Sequence, residues 1–393
     1  MRRRLNQNRD RVVLRILVSP GAPPVELTGA DILDRAPALA ASYMLAPESG
    51  VVLLLLPHSV ELFLLHLGLV LQGRIPAILA WPTSRIDPEK YQRNLLHQLR
   101  HLPAHQLITL PRLAGNLAAG LHFPATACAI ENAGQWEKAF AIPIDLSADE
   151  PSAAERPGPC CAPSEALFLQ FSGGTTGAQK AVVVTAPMLA SQLSRLSEFL
   201  DFTDRDGVAS WLPMYHDMGL IACLWFPLWH GAPSLQFGAG DWLLRPELLF
   251  QFLDRYRATF CWLPNFAFSY LAAQRERMKG QYSLAHVRAW INCSEPVRLR
   301  SFREFADAFA HWGVAMESLH ASYAMAENVF AVTQTPLGLP LNTFPRSRLR
   351  HRAVDLDETA FDLLDDVYVS SGTVLKGMDV RVVHPDGALC AEG

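Results

Sequence analysis

Residues 168–185 read Phe-Leu-Gln-Phe-Ser-Gly-Gly-Thr-Thr-Gly-Ala-Gln-Lys-Ala-Val-Val-Val-Thr: an apolar run, a Gly/Thr turn, a lysine and a β-branched run. Glycines lack a Cβ and let backbone amides approach a phosphate closely, while hydroxyls and Lys180 can bind its oxygens. The stretch does not fit Gly-x-x-x-x-Gly-Lys-Ser/Thr, and the run after the lysine predicts a strand where that loop needs a helix. The sequence therefore predicts either a different phosphate-binding hairpin or an ordinary hairpin turn.

Three further segments favour the phosphate-binding interpretation. In chain order they are Trp211-Leu-Pro-Met-Tyr-His-Asp-Met-Gly-Leu220, Asn292-Cys-Ser-Glu-Pro-Val-Arg298 and Ser322-Tyr-Ala-Met-Ala-Glu327. With the 168–185 loop they resemble the core motifs of the adenylate-forming superfamily, which includes acyl-CoA synthetases, peptide-synthetase adenylation domains and luciferases. Segment 215–221 is most similar to fatty acyl-AMP ligases. The resemblance runs from about residue 51 to the last residue, and four motifs in this order argue against chance.

The composition is typical of a globular enzyme. Of the 393 residues, 50% are hydrophobic and 18% are charged, and this length predicts two or three domains or subdomains. The formal net charge of −4 argues against a nucleic-acid partner. The most apolar stretch, 51–71, is interrupted at 57–59, so neither part is long enough to cross a bilayer. Seven cysteines without a Cys-x-x-Cys pair predict a reducing, cytoplasmic location and no metal cage.

Alternating strand and helix patterns predict an α/β fold of parallel sheets covered by helices. We expect two subdomains, 1–163 and 164–335, with a Pro- and Ala-rich connector at 143–163. In the second, we expect a strand ending at 263, a helix over 266–279, a strand over 287–293 and a helix over 300–312. Residues 336–393 are expected to hold an insertion and the start of a small distorted β-barrel subdomain, with strands at 367–370 and 380–383. Ligands of such sheets bind beyond the carboxyl ends of the strands, which places the motifs at one rim.

The resemblance implies that a carboxylate attacks the α-phosphorus of ATP, pyrophosphate leaves, and a thiol takes the acyl group from the acyl-AMP. It implies that Lys180 pairs with the phosphates and that His216 donates to the carboxylate. It also implies that Glu327 binds Mg²⁺ together with Thr175 or Thr176, since hard oxygen ligands suit that ion. The implied nucleotide-binding residues are Ser172, Gly173, Gly174, Thr175, Thr176, Gly177, Ser294, Glu295, Pro296, Ser322, Tyr323 and Ala324. The implied acyl-binding residues are Met218, Gly219, Leu220, Asn265 and Phe266.

Several of these residues also have a purely structural interpretation. His216 could be a hydrogen-bonded core residue, Glu327 a helix-start carboxylate and Tyr323 a core ring. Phe266 could serve only to pack its helix on the sheet. Asp217 stands about where peptide-synthetase domains place an amine-binding Asp. Acyl-AMP ligases also carry it, so an amino acid substrate is not implied.

The sequence departs from the family pattern in two ways. Gln179 and Ala181 replace a proline and a glycine of the usual loop. The sequence also ends before the family's ribose-binding Asp, its hinge and the small C-terminal domain with a catalytic Lys, so we expect the large N-terminal domain of an adenylating enzyme.

Residues 336–366 resemble an insertion that fatty acyl-AMP ligases carry and acyl-CoA synthetases lack; the alternative is a surface loop with no such role. We therefore expect an acyl-AMP ligase that activates an apolar carboxylic acid and loads an acyl carrier protein. Two alternatives stay open: an acyl- or aryl-CoA synthetase, and a non-catalytic module that binds nucleotide or carrier protein.

Overall fold

The computed structural model describes residues 1–44, 50–82, 87–102, 104–118, 121, 124–130, 165–172, 180–345, 367–384 and 386–390. Its strands are β1 (Val12–Leu17), β2 (Val25–Thr28), β3 (Val51–Leu55), β4 (Ile75–Ile78), β5 (Ala104–Thr109), β6 (Ala125–Ala127), β7 (Ala166–Phe171), β8 (Ala181–Thr185), β9 (Val208–Ser210), β10 (Ser234–Phe237), β11 (Phe260–Leu263), β12 (Ala289–Asn292), β13 (Leu319–Ala324), β14 (Ala331–Gln334), β15 (Thr343–Pro345), β16 (Val367–Val369) and β17 (Thr373–Val374). Its α-helices are α1 (Arg2–Gln7), α2 (Gly29–Tyr43), α3 (Val60–Leu71), α4 (Pro88–His101), α5 (Pro111–Ala118), α6 (Ala186–Leu200), α7 (Phe226–His230), α8 (Ala239–Leu244), α9 (Leu248–Tyr256), α10 (Asn265–Gln274) and α11 (Leu299–Phe309).

Within these ranges the strands form two large sheets and one small one. The nine-stranded sheet has the order β17-β14-β13-β12-β11-β9-β10-β1-β2, and the six-stranded sheet has the order β6-β5-β3-β4-β7-β8. Pairing is parallel from β13 to β1 in the first sheet and from β6 to β7 in the second. The predicted α/β fold with parallel sheets is therefore confirmed.

The sequence patterns explain why the central elements form. All residues of β3, β11 and β12 are buried, as expected for short apolar strands covered on both faces. Helix α11 places Phe302, Phe305 and Phe309 on one buried face, the spacing of an amphipathic helix. The strand and helix expected within 287–312 are thus confirmed. Gly313 follows with a φ of 91°, a left-handed conformation that suits glycine at the end of a helical segment.

Each large sheet draws strands from both sides of residue 164, the expected boundary between the first two subdomains. Strands β1 and β2 join the nine-stranded sheet, where β1 pairs in parallel with β10. Strands β7 and β8 join the six-stranded sheet, where β7 pairs in parallel with β4. Pairings between strands this far apart in the chain leave no local sequence signal.

The last part of the chain differs in one respect from expectation. The strand expected at 367–370 is present as β16, paired with β15. The prediction of a strand at 380–383 was wrong, because this segment contributes only an isolated bridge between Val383 and Leu389. Val382 is 71% exposed and no described strand pairs with this segment, so its valines alone did not make it a strand. The connector at 143–163 and residues 346–366 lie outside the described ranges.

Two further observations concern the described residues alone. The helices found there include none that is long and apolar enough to span a membrane. The described cysteines, Cys128, Cys223, Cys261, Cys293 and Cys390, are free thiols.

Candidate active site

The predicted site residues follow neighbouring parallel strands of the nine-stranded sheet. His216 lies beyond β9, and Asn265 lies two residues beyond the end of β11. Ser294 lies just beyond β12, and Tyr323 lies near the end of β13. These four strands are adjacent and pair in parallel, so their carboxyl ends meet at one rim. The structure thus brings together three of the four motifs at the expected edge.

The fourth motif, the phosphate loop, is described at both of its ends. Ser172 follows β7 and Lys180 precedes β8. The Ser172 N–H donates to the Lys180 carbonyl (3.0 Å), and the Lys180 N–H donates to the Ser172 hydroxyl oxygen (3.2 Å). Ser172 is buried, whereas the Lys180 side chain is exposed and available to a ligand. Outside the described residues lie the other predicted phosphate ligands, Gly173, Gly174, Thr175, Thr176 and Gly177.

His216 lies in the turn that leads into a π-helix, Met218–Trp225. The backbone N–H of His216 donates to the Pro213 carbonyl (3.2 Å), and the backbone carbonyl of His216 accepts the Leu220 N–H (2.9 Å). The residue is exposed to solvent, and the Tyr215 ring packs beside its imidazole with 4.7 Å between the ring centroids. Desolvation by the surrounding protein atoms lowers the pKa of His216. The imidazole is therefore neutral at pH 7 and can still donate one N–H to a carboxylate oxygen.

The predicted acyl contacts Met218, Gly219 and Leu220 are buried in the first turn of the π-helix. The Ser294 hydroxyl lies 4.0 Å from the Met218 sulfur, which places the 292–298 segment against this helix. Ser294 has a φ of 73°, a left-handed conformation that is strained for a residue with a Cβ. Strain of this kind clusters at ligand-binding sites, where the surrounding structure maintains it.

Two carboxylates lie close enough to influence each other. Glu327 is the middle residue of a 3₁₀ turn, Ala326–Asn328, that follows β13. Asp217 Oδ1 accepts the Met218 N–H (2.8 Å). Burial raises the pKa of Asp217 to about 6, and the negative charge of Glu327 contributes to the increase. Glu327 itself is exposed and, in the part of the chain that the structure describes, forms no ion pair.

The described donors fit the Mg²⁺ ion that the sequence motifs imply. Magnesium prefers carboxylate and water oxygens and is usually bound by one or two carboxylates together with substrate phosphates. Glu327 offers an exposed carboxylate, and the charge of Asp217 adds to the negative potential there. The predicted hydroxyl ligands, Thr175 and Thr176, lie outside the described residues, so their part stays a prediction.

The three nucleotide-binding residues predicted on β13 divide into one that is available to a ligand and two that are engaged within the protein. The Tyr323 side chain is 51% exposed, so its ring can stack on a flat ligand. The Ser322 hydroxyl donates to the Thr333 carbonyl (2.9 Å) and is buried. Ala324 is half-buried at the end of β13. Ser322 and Ala324 therefore support the strand on which the Tyr323 ring is presented.

A cleft of about 580 Å³ lies beside the first turn of α10. It is lined by Asn265, Phe266, Ser269, Glu295, Pro296, Arg298, Arg300 and Ser301. Phe266 is 47% exposed, and its ring packs edge-on against Trp211 and Trp242. The two tryptophan rings are stacked with 3.9 Å between their centroids. An exposed ring on a rigid aromatic base is available to an apolar ligand. A Glu295 carboxylate oxygen accepts the Phe266 N–H (2.9 Å), which joins the 292–298 segment to α10.

The Asn265 side chain is largely engaged within the protein. Its Oδ1 accepts hydrogen bonds from Asn292 Nδ2 (3.0 Å) and from the Arg298 N–H (3.0 Å). Its Nδ2 donates to the Ser301 hydroxyl (3.2 Å). These contacts fix the 292–298 segment to α10 and α11. That Asn265 also contacts a substrate stays a prediction.

The cysteines near this rim are not poised as nucleophiles. Burial raises the pKa of both Cys223 and Cys293 to about 12. A thiol with such a pKa carries almost no thiolate at pH 7, and the thiolate is the reactive form. The described site therefore offers hydrogen-bond donors, a lysine and carboxylates.

Sequence reasoning missed Gln170, which connects strand β7 to the turn with Glu327. This residue lies on β7 and is only 3% exposed. Its side-chain N–H groups donate to the carbonyls of Ala326 (2.9 Å) and Val329 (2.8 Å). The available signal was an isolated polar residue inside an apolar strand, because such a residue needs hydrogen-bond partners when buried.

We expect the substitution Asp217→Asn to stabilise the protein at pH 7 and not at pH 4. A folded pKa of about 6, above the ordinary 3.8, means that the contribution of Asp217 to stability falls as pH rises between these values. Each pKa unit corresponds to about 1.4 kcal/mol, and partial solvent access reduces the effect, so we expect a gain of about 1–2 kcal/mol. Urea denaturation of both proteins at pH 4 and pH 7, in metal-free buffer, measures the difference. An equal effect at both pH values would contradict the assignment.

Comparison with known proteins matches the chain to one family along its whole length. The model of the family "AMP-binding enzyme" matches residues 1–393. A Caulobacter vibrioides protein named "Putative acyl-CoA synthetase" is 30% identical over 327 residues, which cover 81% of this chain and 54% of that protein. A Moorena producens protein named medium-chain-fatty-acid–[acyl-carrier-protein] ligase is 28% identical over 222 residues, which cover 56% and 38%. The chain thus spans about half or less of the length of these relatives.

A solved structure gives the same result for the fold. The fatty acyl-adenylate ligase of Legionella pneumophila, in complex with acyl adenylate and pyrophosphate, superposes with a TM-score of 0.76 at 24% identity. The superposition covers 98% of this chain and 64% of that one. With the family model matched over every residue, the chain belongs to the AMP-binding enzymes, the adenylate-forming superfamily.

Proposed function

We propose that this chain carries the adenylating site of an acyl-AMP ligase that activates an apolar carboxylic acid. The observation that carries the proposal is that His216, beyond β9, and Tyr323 and Glu327, at and beyond the end of β13, lie at the same carboxyl-end rim of the parallel strands β13-β12-β11-β9. The bonds from Gln170 then tie the phosphate-loop strand to the same rim. An exposed aromatic ring, a neutral imidazole and an exposed carboxylate together suit a nucleotide and a carboxylic acid.

The proposed reaction forms one phosphorus–oxygen bond and breaks another. A carboxylate oxygen attacks the α-phosphorus of ATP, and the bond from that phosphorus to the β-phosphate oxygen breaks, which releases pyrophosphate. Mg²⁺, when bound, would offset the charge of the phosphates. The neutral His216 ring donates to the substrate carboxylate and orients it, while Lys180 pairs with the phosphates. These fixed donors stabilise charge that develops in the transition state.

Two observations support an apolar acyl group. The acyl side of the proposed site is the buried Met218–Leu220 turn, and the α10 cleft presents the exposed Phe266 ring among lining residues that are mostly polar or charged. Apolar side chains such as those of Met218, Leu220 and Phe266 bind alkyl or aryl chains. The Moorena producens relative is named for medium-chain fatty acids and the acyl carrier protein, which supports a fatty acid and a carrier thiol here.

The experiment that tests the function is ATP–pyrophosphate exchange with the full-length gene product. A panel of fatty, aryl and amino acids should yield exchange with apolar acids and none with amino acids. If none of the acids supports exchange, although circular dichroism shows that the protein is folded, the result would favour the non-catalytic module. Exchange with amino acids alone would reject the apolar acyl site.

The thiol acceptor is tested by removing part of the 336–366 segment. Residues 346–366 join β15 to β16, whose ends Pro345 and Val367 are paired in register. Replacing 346–366 with Asn-Gly allows these strands to remain a hairpin. We expect the intact enzyme to load a holo-acyl carrier protein and form little acyl-CoA, and the shortened enzyme to form several-fold more acyl-CoA. Efficient acyl-CoA formation by the intact enzyme would favour the synthetase alternative, which the Caulobacter relative's name also suggests.

A further inference from the structure

The turn that carries Glu327 contains an unusually strained residue. Val329 has a φ of 66° and a ψ of −49°, close to the conformation of the γ-turn type that is rare and strained. Valine is β-branched, and a positive φ is a genuine outlier for this side-chain type. The side chain is 3% exposed and belongs to the hydrophobic core. Such a conformation persists only where surrounding contacts maintain it.

The turn's own hydrogen bonds are few. The Asn328 N–H donates to the Met325 carbonyl (3.0 Å), and the Val329 N–H donates to the Ala326 carbonyl (2.9 Å). A single 3₁₀ turn has poor hydrogen-bond geometry and does not form stably in isolation. Contacts from outside the turn are therefore needed to keep its shape.

The Met325 N–H donates to the Phe330 carbonyl (3.0 Å) and Asn328 Nδ2 to the Ala331 carbonyl (2.9 Å), and Gln170 adds contacts from the other large sheet. Its Nε2 donates to the Ala326 carbonyl and to the Val329 carbonyl, one on each side of Glu327. Among the described residues its Oε1 is buried without a hydrogen-bond partner. The Gln170 amide is thus oriented so that its Nε2 group donates to both carbonyls while its Oε1 stays without a donor from the described part of the chain. The flipped amide would place Oε1 against the two carbonyl oxygens, which cannot donate to it.

The position of Gln170 in the chain gives these bonds a functional meaning. It lies two residues before Ser172, on the strand that enters the phosphate loop. The strand belongs to the six-stranded sheet, whereas Glu327 follows β13 of the nine-stranded sheet. The two bonds thus fix the Glu327 turn relative to the end of β7, the strand that leads into the loop expected to bind phosphates.

We propose that Gln170 is a positioning residue, which holds the strained 326–329 turn and its Glu327 in a fixed place beside the end of β7. This inference rests on the proposed adenylation. A second amide, Gln192 of α6, donates to the Ala331 carbonyl (3.1 Å) and fixes the start of β14. Gln170 differs from it because it bonds to both carbonyls that flank Glu327.

The test replaces Gln170 with a side chain of similar shape and no amide. In the full-length Gln170→Met enzyme we expect the Mg²⁺ concentration for half-maximal exchange to rise about tenfold, because the Val329 carbonyl loses the Gln170 donor and the Ala326 carbonyl keeps only the Val329 N–H. The KM for the carboxylic acid should stay unchanged. The matched control is Gln106→Met: Gln106 is buried on β5 of the same sheet, and its amide donates to the Tyr43 carbonyl (2.6 Å). It should lower stability without changing the Mg²⁺ dependence.

Hydrogen exchange of the backbone amides gives a readout that does not depend on activity. The amides of Asn328 and Val329 should exchange faster in Gln170→Met and at the parent rate in Gln106→Met. In a Val329→Gly background, where glycine accepts the positive φ, Gln170→Met should have a smaller effect on both readouts.

Three outcomes separate the possible failures. An inactive parent enzyme would reject the proposed function, while the hydrogen-exchange result would still decide whether Gln170 holds the turn. An active parent with unchanged Mg²⁺ dependence in Gln170→Met would overturn the positioning role. Equal changes in Gln170→Met and Gln106→Met would also overturn it, since they would indicate a general loss of stability.

Discussion

Replacing Glu327 with alanine is expected to lower ATP–pyrophosphate exchange about a hundredfold without unfolding the protein, because a metal contact contributes several kcal/mol to the transition state. Glu327 is exposed and forms no ion pair within the described residues, so its removal costs the fold little. Initial rates across a range of Mg²⁺ concentrations, with a denaturation curve of the same preparation, measure both effects. Loss of the carboxylate should also lower the pKa of Asp217 through the removed negative charge.

The chain offers a close control for this substitution. Glu317 is also exposed and is also the middle residue of a three-residue 3₁₀ turn, Met316–Ser318, which lies before β13 at the strand's opposite end. Glu317→Ala should therefore leave exchange and its Mg²⁺ dependence unchanged. Near-normal exchange by Glu327→Ala would reject the metal role, whereas a loss in both variants would point to instability near β13.

Motifs with a local chemical signal could be predicted from the sequence. The apolar run of β12 and the spacing of Phe302, Phe305 and Phe309 fix a strand and a helix, because burial on a known period needs no knowledge of distant residues. The rule that ligands bind beyond parallel strands then places His216 and Tyr323 at one rim.

Other features depend on contacts that a local pattern does not contain. The pairing of β1 with β10 joins residues far apart in the chain, and nothing in β1 identifies its partner. The positive φ values of Ser294 and Val329 occur where glycine would be expected, so no residue type signals them. Gln170 is informative only once the carbonyls of the Glu327 turn are known to lie beside it. Each of these is a consequence of tertiary packing that overrides local preference.

Gly219→Ala is expected to lower both stability and activity, because a Cβ at this position would lie 2.2 Å from the Pro213 carbonyl oxygen. The nearest atoms belong to the backbone of residues 212 and 213, which cannot rotate away as a side chain would. The same carbonyl accepts the His216 N–H (3.2 Å), so any shift that relieves the contact also displaces His216. Overpacking against backbone costs about 1–3 kcal/mol or more, and we expect a loss of that size in urea denaturation.

Gly240→Ala isolates this steric effect from the general consequences of replacing a helical glycine. Gly240 lies in α8, and a Cβ there would meet no atom within 4 Å. Alanine loses less backbone entropy on folding than glycine, so this variant should be as stable as the parent or more stable by up to about 1 kcal/mol. If Gly219→Ala instead behaved like Gly240→Ala, in stability and in the KM for the acid, the turn would not hold His216 by close packing. A loss confined to Gly219→Ala would show that glycine is needed at this position because the backbone of residues 212 and 213 lies too close to leave room for a side chain.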